Sequence, residues 1–185
     1  GLTGVLAVGW QGRGQGVRLI VATGVTALWA GTLAWLATAQ AAPPGLLFLA
    51  DTLRSAAWLV ALGGLVETGG FPQLVRRVAW LTWLSVLAAG IASALFAPWL
   101  FTSVALGGGL LLAVTGLVLL EQIYRNTNPS GRWTLRYLYI GVGALFVYDL
   151  FLYSQALLFS AMSLDAWQAR GFIAAMAVPF IAIAA

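Results

Sequence analysis

Apolar runs of roughly 20 residues, the length a helix needs to cross the hydrocarbon of a bilayer, recur along this chain between short polar breaks. That repeat constrains the fold more than any other feature. A barrel strand would be about half as long and would alternate apolar with polar positions. An isolated strand in lipid would also leave its backbone groups unpaired, whereas a helix satisfies its own. Composition agrees: 62% of residues are hydrophobic and 8% charged, against roughly 25% charged in a soluble domain. The reading is an all-α membrane protein, a polytopic bundle forming a single transmembrane domain over residues 1–185.

The spans fall at about 1–10, 17–39, 46–66, 78–97, 99–120, 137–160 and 166–185, so about seven are expected. The first is half the needed length and is read as truncated. Gly rather than Met stands at position 1, and Ala185 lies inside an apolar run. Both observations lead to the expectation of a piece of a longer chain. Pro43, Pro44 and Gly45 are expected to make a turn, and Glu121 to Arg136 the longest polar loop.

The net charge of +4 comes from arginine, since the chain has no lysine. Its distribution points to topology rather than nucleic acid. Arg13 and Arg18, then Arg76 and Arg77, then Arg125, Arg132 and Arg136 occupy alternate connections. The connections at Pro43, Pro98 and Ala161 carry none. Basic residues gather in cytoplasmic loops, which places the N-terminus outside and the C-terminus in the cytoplasm. The same five arginines of the last two basic connections are the expected coupling surface. Trp10, Trp99, Trp133 and Trp167 fall near span ends, where aromatic belts form. Trp29 and Trp58 lie mid-span and read as packing residues. Ala105, Gly109 and Ala113 give one helix a small-residue stripe, suited to close packing inside the bundle or to a dimer seam.

Chemistry has few places to sit. Cysteine and histidine are absent, which removes disulfides, thiolates and the commonest metal ligand. No nucleophile–base pair or metal-ligand spacing is readable, and no catalytic residue or metal site is expected. Glu67 and Glu121 read as solvated span ends. Asp51, Arg54, Asp149 and, closer to a span end, Arg170 stand inside apolar runs. Charge within the bilayer is costly and asks for a partner or a task. Helical spacing puts Leu145, Asp149, Tyr153 and Ala156 on one stripe, and Asp51, Arg54 and Trp58 on another. With both stripes facing inward, Arg54 can meet Asp149 or Asp51. The outcome is either an ion pair locking helices or a small polar pocket, open to the outside, that senses a ligand. A proton or ion path is a third reading, for which these spans offer few further polar residues.

The runs EQIYRNT from Glu121, Arg132-Trp133, YDLFLYSQALLF from Tyr148 and D-x-W-x-x-R-G from Asp165 are a recognisable pattern. It resembles the N-terminal membrane region of the PEP-CTERM system sensor histidine kinase, PrsK type. The resemblance covers about Glu121 to Pro179. Upstream it is carried by span number and by the looser run Leu53 to Trp58. The family pattern often has an acid after Leu-Tyr-Ser, where this chain has Gln155. The resemblance implies a multi-pass sensor in a bacterial inner membrane, working as a homodimer and joined to cytoplasmic GAF-like and kinase domains. The phosphoacceptor histidine, ATP with magnesium, and contact with a response regulator would belong to those domains. This chain itself would need no cofactor. It also implies a setting in exopolysaccharide production and protein sorting. Two other classes remain open: a transporter or channel subunit, signalled by repeats and broken helices, and a structural accessory subunit of a larger membrane complex.

Overall fold

The computed structural model describes residues 14–39, 43–66, 73–127, 129–159 and 164–184. Among these residues there are six helices and no strands: α1 Gly14–Ala39, α2 Pro44–Val66, α3 Gln73–Phe96, α4 Pro98–Asn126, α5 Pro129–Phe159 and α6 Leu164–Ala184. The span read at residues 1–10 lies outside the described residues. Three helices begin at proline, namely α2, α4 and α5. At a first helical position the missing N–H is harmless and the fixed φ is already helical. Pro44 and Gly45 therefore belong to α2 rather than to a turn before it, and Leu46 N–H closes onto Pro43 O at 3.0 Å.

The stretch expected as the longest loop is almost entirely helical. α4 runs on to Asn126 and α5 starts at Pro129, so Glu121–Arg136 extends two helices past their apolar segments. Polar helix needs no lipid, and an exposed Glu121–Arg125 pair at 2.9 Å supports it at i,i+4 spacing. Gly107, Gly108 and Gly109 do not interrupt α4, nor does Pro179 interrupt α6.

Five helical segments are long and apolar enough to cross a membrane: Val17–Leu36, Pro44–Leu65, Gln73–Phe96, Pro98–Asn126 and Leu135–Phe159. Their outward faces stay apolar, with Leu28 73% and Phe96 80% exposed. Soluble monomers rarely show contiguous apolar surface on that scale. This is a multi-pass membrane protein.

Consecutive helices pack side by side, α1 on α2, α3 on α4, α4 on α5 and α5 on α6. α2 also touches α3 and α4, and α6 closes back onto α1. The main core fills the space so enclosed, around Trp58, Leu62, Leu138, Val142, Phe146 and Ile181. A smaller cluster of Phe48, Val86 and Leu112 sits between α2, α3 and α4. Gly109 permits the close approach of α4 to α5, because a Cβ there would lie 2.6 Å from the Tyr153 ring. With Ala113 buried and Ala105 packed on the smaller cluster, the small-residue stripe is used inside the bundle.

Polar groups are satisfied locally, as lipid requires. Thr23, Thr26, Thr52 and Ser93 donate to carbonyls three or four residues earlier on their own helices. Between helices, Trp58 Nε1 donates to Thr26 Oγ1 at 3.0 Å, Trp83 Nε1 to Thr52 O at 2.8 Å and Tyr148 Oη to Ala166 O at 2.7 Å.

Candidate functional site

The two inward stripes expected from helical spacing face each other. Leu145, Asp149, Tyr153 and Ala156 are all buried on α5, as are Arg54 and Trp58 on α2. Arg54 Nη2 donates to Asp149 Oδ2, joining α2 to α5. Asp51 lies one turn before Arg54 on α2. It accepts from Tyr153 Oη at 3.0 Å.

Arg170 is the hub rather than a shallow flanking charge. It enters from α6 and donates to Asp149 Oδ1 through Nε at 3.1 Å and Nη2 at 2.9 Å. Its Nη1 reaches Asp51 Oδ2 at 3.2 Å, and Nη2 also reaches Tyr153 Oη at 3.0 Å. Position near a span end made Arg170 look close to the interface. α5 and α6 pack so closely that the side chain instead spans the interior. Arg170, Arg54 and Asp149 are 2%, 4% and 5% exposed. Two guanidinium and two carboxylate groups thus share one site, formally neutral as a set.

Two tryptophans belong to this site and were not expected in it. Trp29, read as packing, donates its Nε1–H to Asp51 Oδ1 at 2.6 Å. Its ring also lies under both cations, with Arg54 at 4.4 Å and Arg170 at 5.1 Å from the centroid. Trp167, read as part of an aromatic belt, is half-buried with Arg170 4.9 Å from its ring. Cation–π contacts gain strength when desolvated, and Arg uses them more often than Lys. The available signal for Trp29 was its depth. An indole N–H in mid-membrane needs an acceptor, and the acid at Asp51 is one of few in the chain.

A cavity of about 210 Å³ lies beside this network, and Pro44, Phe101, Thr102 and Trp167 place one end of it near where α2, α4 and α6 begin. Pro44, Leu47, Phe101 and Thr102 line it toward that end, Asp51, Arg54, Asp149 and Tyr153 line it further in, and Leu112, Ala113 and Phe146 lie deepest. Phe48, Leu106 and Phe146 add apolar wall. Arg54 lies ten residues beyond Pro44 on α2, or about 15 Å along the helix. The connections at this end carry no arginine, while Arg76, Arg77, Arg125, Arg132 and Arg136 stand on helix segments at the other end.

No protein-family model matches the chain, and neither curated proteins nor solved structures give a match.

The arrangement can do two things. It can hold four helices, since α1, α2, α5 and α6 each contribute a side chain. It can also respond to an occupant of the cavity, because Arg54 and Asp149 both line it and both belong to the ion-paired set. Among the described residues, Arg54 Nε is a buried side-chain nitrogen with no hydrogen-bond partner.

Proposed function

We propose that this chain is the membrane-embedded input module of a bacterial sensor histidine kinase of the PEP-CTERM, PrsK-type family. Seven spans would place the N-terminus outside and the C-terminus in the cytoplasm of the inner membrane. The cavity would then open outward, and α6 would lead toward GAF-like and kinase domains. Those domains would bind ATP and magnesium, act as a homodimer, and phosphorylate a cognate response regulator. The observation that carries the reading is a cavity lined by Asp51, Arg54 and Asp149 of the ion-paired set that joins α2, α5 and α6. An occupant competing for Arg54 or Asp149 would change what Arg170 can hold, and so the seat of α6. A ligand shifts such an equilibrium only by binding the two packings differently. The runs of family resemblance at Tyr148–Phe159 and Asp165–Gly171 lie on the α5–α6 pair that carries Asp149, Tyr153 and Arg170.

A second reading has an observation in its favour. Asp51 and Asp149 already take charged donors from within the bundle, as a purely structural accessory subunit would require. The experiment that separates the two is phosphate transfer in the natural full-length protein, reconstituted in liposomes with labelled ATP. The sensor reading expects the protein to label itself, with a rate that changes several-fold in Asp149→Asn and not in the lipid-facing Leu158→Ala. Solute flux without self-labelling would assign the chain to a transporter instead. Absence of both activities from a stable complex with other membrane proteins would assign it to the accessory class.

A further inference from the structure

Arg54 is buried and lines the cavity, and of the five N–H donors of a guanidinium it donates to Asp149 through Nη2 while its Nε has no partner. A buried donor without an acceptor is expensive to maintain, and it defines what an occupant must supply. The neighbouring polar groups add the rest. Thr52 and Ser55 already donate to carbonyls of their own helix. Tyr153 donates to Asp51 and accepts from Arg170. The carboxylates of Asp51 and Asp149 are engaged by Trp29, Tyr153, Arg54 and Arg170. What remains for a newcomer is the guanidinium N–H of Arg54 not used by Asp149.

Charge narrows the class further. The set is two cations and two anions. An anionic ligand would leave a buried excess of negative charge against Asp51 and Asp149, and a cationic one an excess of positive charge. Either is strongly unfavourable at this depth. A neutral ligand disturbs neither balance. Phe48 and Phe101, edge to face at 5.7 Å, wall the cavity toward the end where α2 and α4 begin, and Phe146 walls it one turn deeper than Asp149. They suit a flat ring. An apolar cavity of about 150 Å³ accommodates benzene, so 210 Å³ admits a substituted ring.

From these constraints we infer that the cavity binds an uncharged, ring-sized amphiphile that enters with an acceptor oxygen leading, the chemistry of a quinone head or an aryl ketone. The oxygen accepts from the Arg54 guanidinium, and the ring lies among the phenyl groups. Any tail trails past Pro44 and Thr102 toward the end where α2 and α4 begin. The molecule has two sources, a tailed quinone dissolved in the membrane or a free aromatic ketone from outside. The inference deepens the sensor reading and rests on it for its biological meaning, but binding itself is measured separately.

The test uses the natural protein in lipid nanodiscs. Equilibrium dialysis measures retention of tetramethylbenzoquinone above that of empty nanodiscs. The comparison ligands are tetramethylbenzene, which has the same ring without an acceptor, and a tetramethylbenzoate, which adds a negative charge. The quinone is expected to bind about tenfold more tightly than the hydrocarbon, the scale of a hydrogen bond to a charged donor. Arg54→Lys keeps a cation for Asp149 but replaces the five-donor guanidinium with a single ammonium held by that carboxylate, and is expected to erase that preference while leaving hydrocarbon binding. Ala105→Phe fills the cavity from α4 and is expected to abolish retention of both, with the unfolding temperature checked in the same preparation. A decyl-tailed quinone binding more tightly than the bare ring assigns the ligand to the membrane, and equal binding assigns it to the outside. Equal retention of quinone and hydrocarbon by the natural protein overturns the inference, as does strongest retention of the benzoate or an undiminished preference in Arg54→Lys. Self-phosphorylation measured alongside separates the two readings. Output that responds to Asp149→Asn without ring binding sinks only the ligand class. Ring binding without any effect on output sinks only the sensor reading.

Discussion

Arg170 grips Asp149 with two nitrogens, Nε at 3.1 Å and Nη2 at 2.9 Å, both on Oδ1. The other carboxylate oxygen, Oδ2, is taken by Arg54. Asp149 is therefore the anion that ties α2 and α6 to α5. Replacing it with Asn keeps the shape and removes the charge, leaving two buried guanidinium groups with one carboxylate, Asp51. Breaking a buried pair in this way is expected to lower stability by about 3–5 kcal/mol. Unfolding of Asp149→Asn in detergent, followed by circular dichroism, measures the loss. A change below about 1 kcal/mol, the range of exposed ion pairs, would show that the network holds nothing together.

Trp29 contributes a hydrogen bond and a ring, and the two can be separated. Trp29→Phe keeps an aromatic face beneath Arg54 and Arg170 but removes the 2.6 Å donor to Asp51. A hydrogen bond to a charged group is worth about 1.5–3 kcal/mol, so a loss in that range is expected. Trp29→Leu should cost more, because the ring is removed as well. Equal losses for the two variants would assign the role of Trp29 to the hydrogen bond alone.

The bundle was legible in the sequence because lipid leaves few options: length, charge placement and helical spacing together marked the spans. The facing stripes of α2 and α5 followed from periodicity, and Arg54 meeting Asp149 is their geometric consequence. Two aspects were not legible. Polar sequence does not distinguish a loop from a helix that has left the membrane, so Glu121–Arg136 read as a loop although it is helical through Asn126 and again from Pro129. Nor does depth along a helix say how far a long side chain reaches. Arg170 sits near the start of α6, yet its guanidinium lies against Asp51 and Asp149. Trp29 and Trp167 joined the site for the same reason. Their neighbours come from other helices, and one-dimensional spacing carries no information about which helices are adjacent.

Neighbouring glycines on α4 give a sharp contrast. A Cβ on Gly109 would meet the Tyr153 ring at 2.6 Å, whereas one on Gly107 would meet nothing within 4 Å. Gly109→Ala must push α5 away or displace Tyr153 from Asp51, and overpacking of this kind is expected to cost about 1–3 kcal/mol. Gly107→Ala is expected to be neutral or to stabilise by up to about 1 kcal/mol, from helix propensity alone. Thermal unfolding of the two variants side by side reads the difference. The same loss at both positions would mean that α4 and α5 are not held at this separation.

The proposed orientation rests on charge placement, and the cysteine-free sequence allows a direct check. Ala97 precedes α4 at the end of the bundle nearest Pro44 and Thr102 of the cavity, and Asn126 closes α4 at the arginine-bearing end. Single cysteines at these two positions report opposite sides of the membrane, because the segment between them is long and apolar enough to cross it. With basic residues on the cytoplasmic side, a membrane-impermeant maleimide should label Ala97→Cys in cells whose inner membrane is intact. Asn126→Cys should react only after that membrane is permeabilised. The reverse pattern would turn the cavity toward the cytoplasm. The bundle would be unchanged, but the input would then have to be a cytoplasmic or membrane-borne molecule, and an external signal would be excluded.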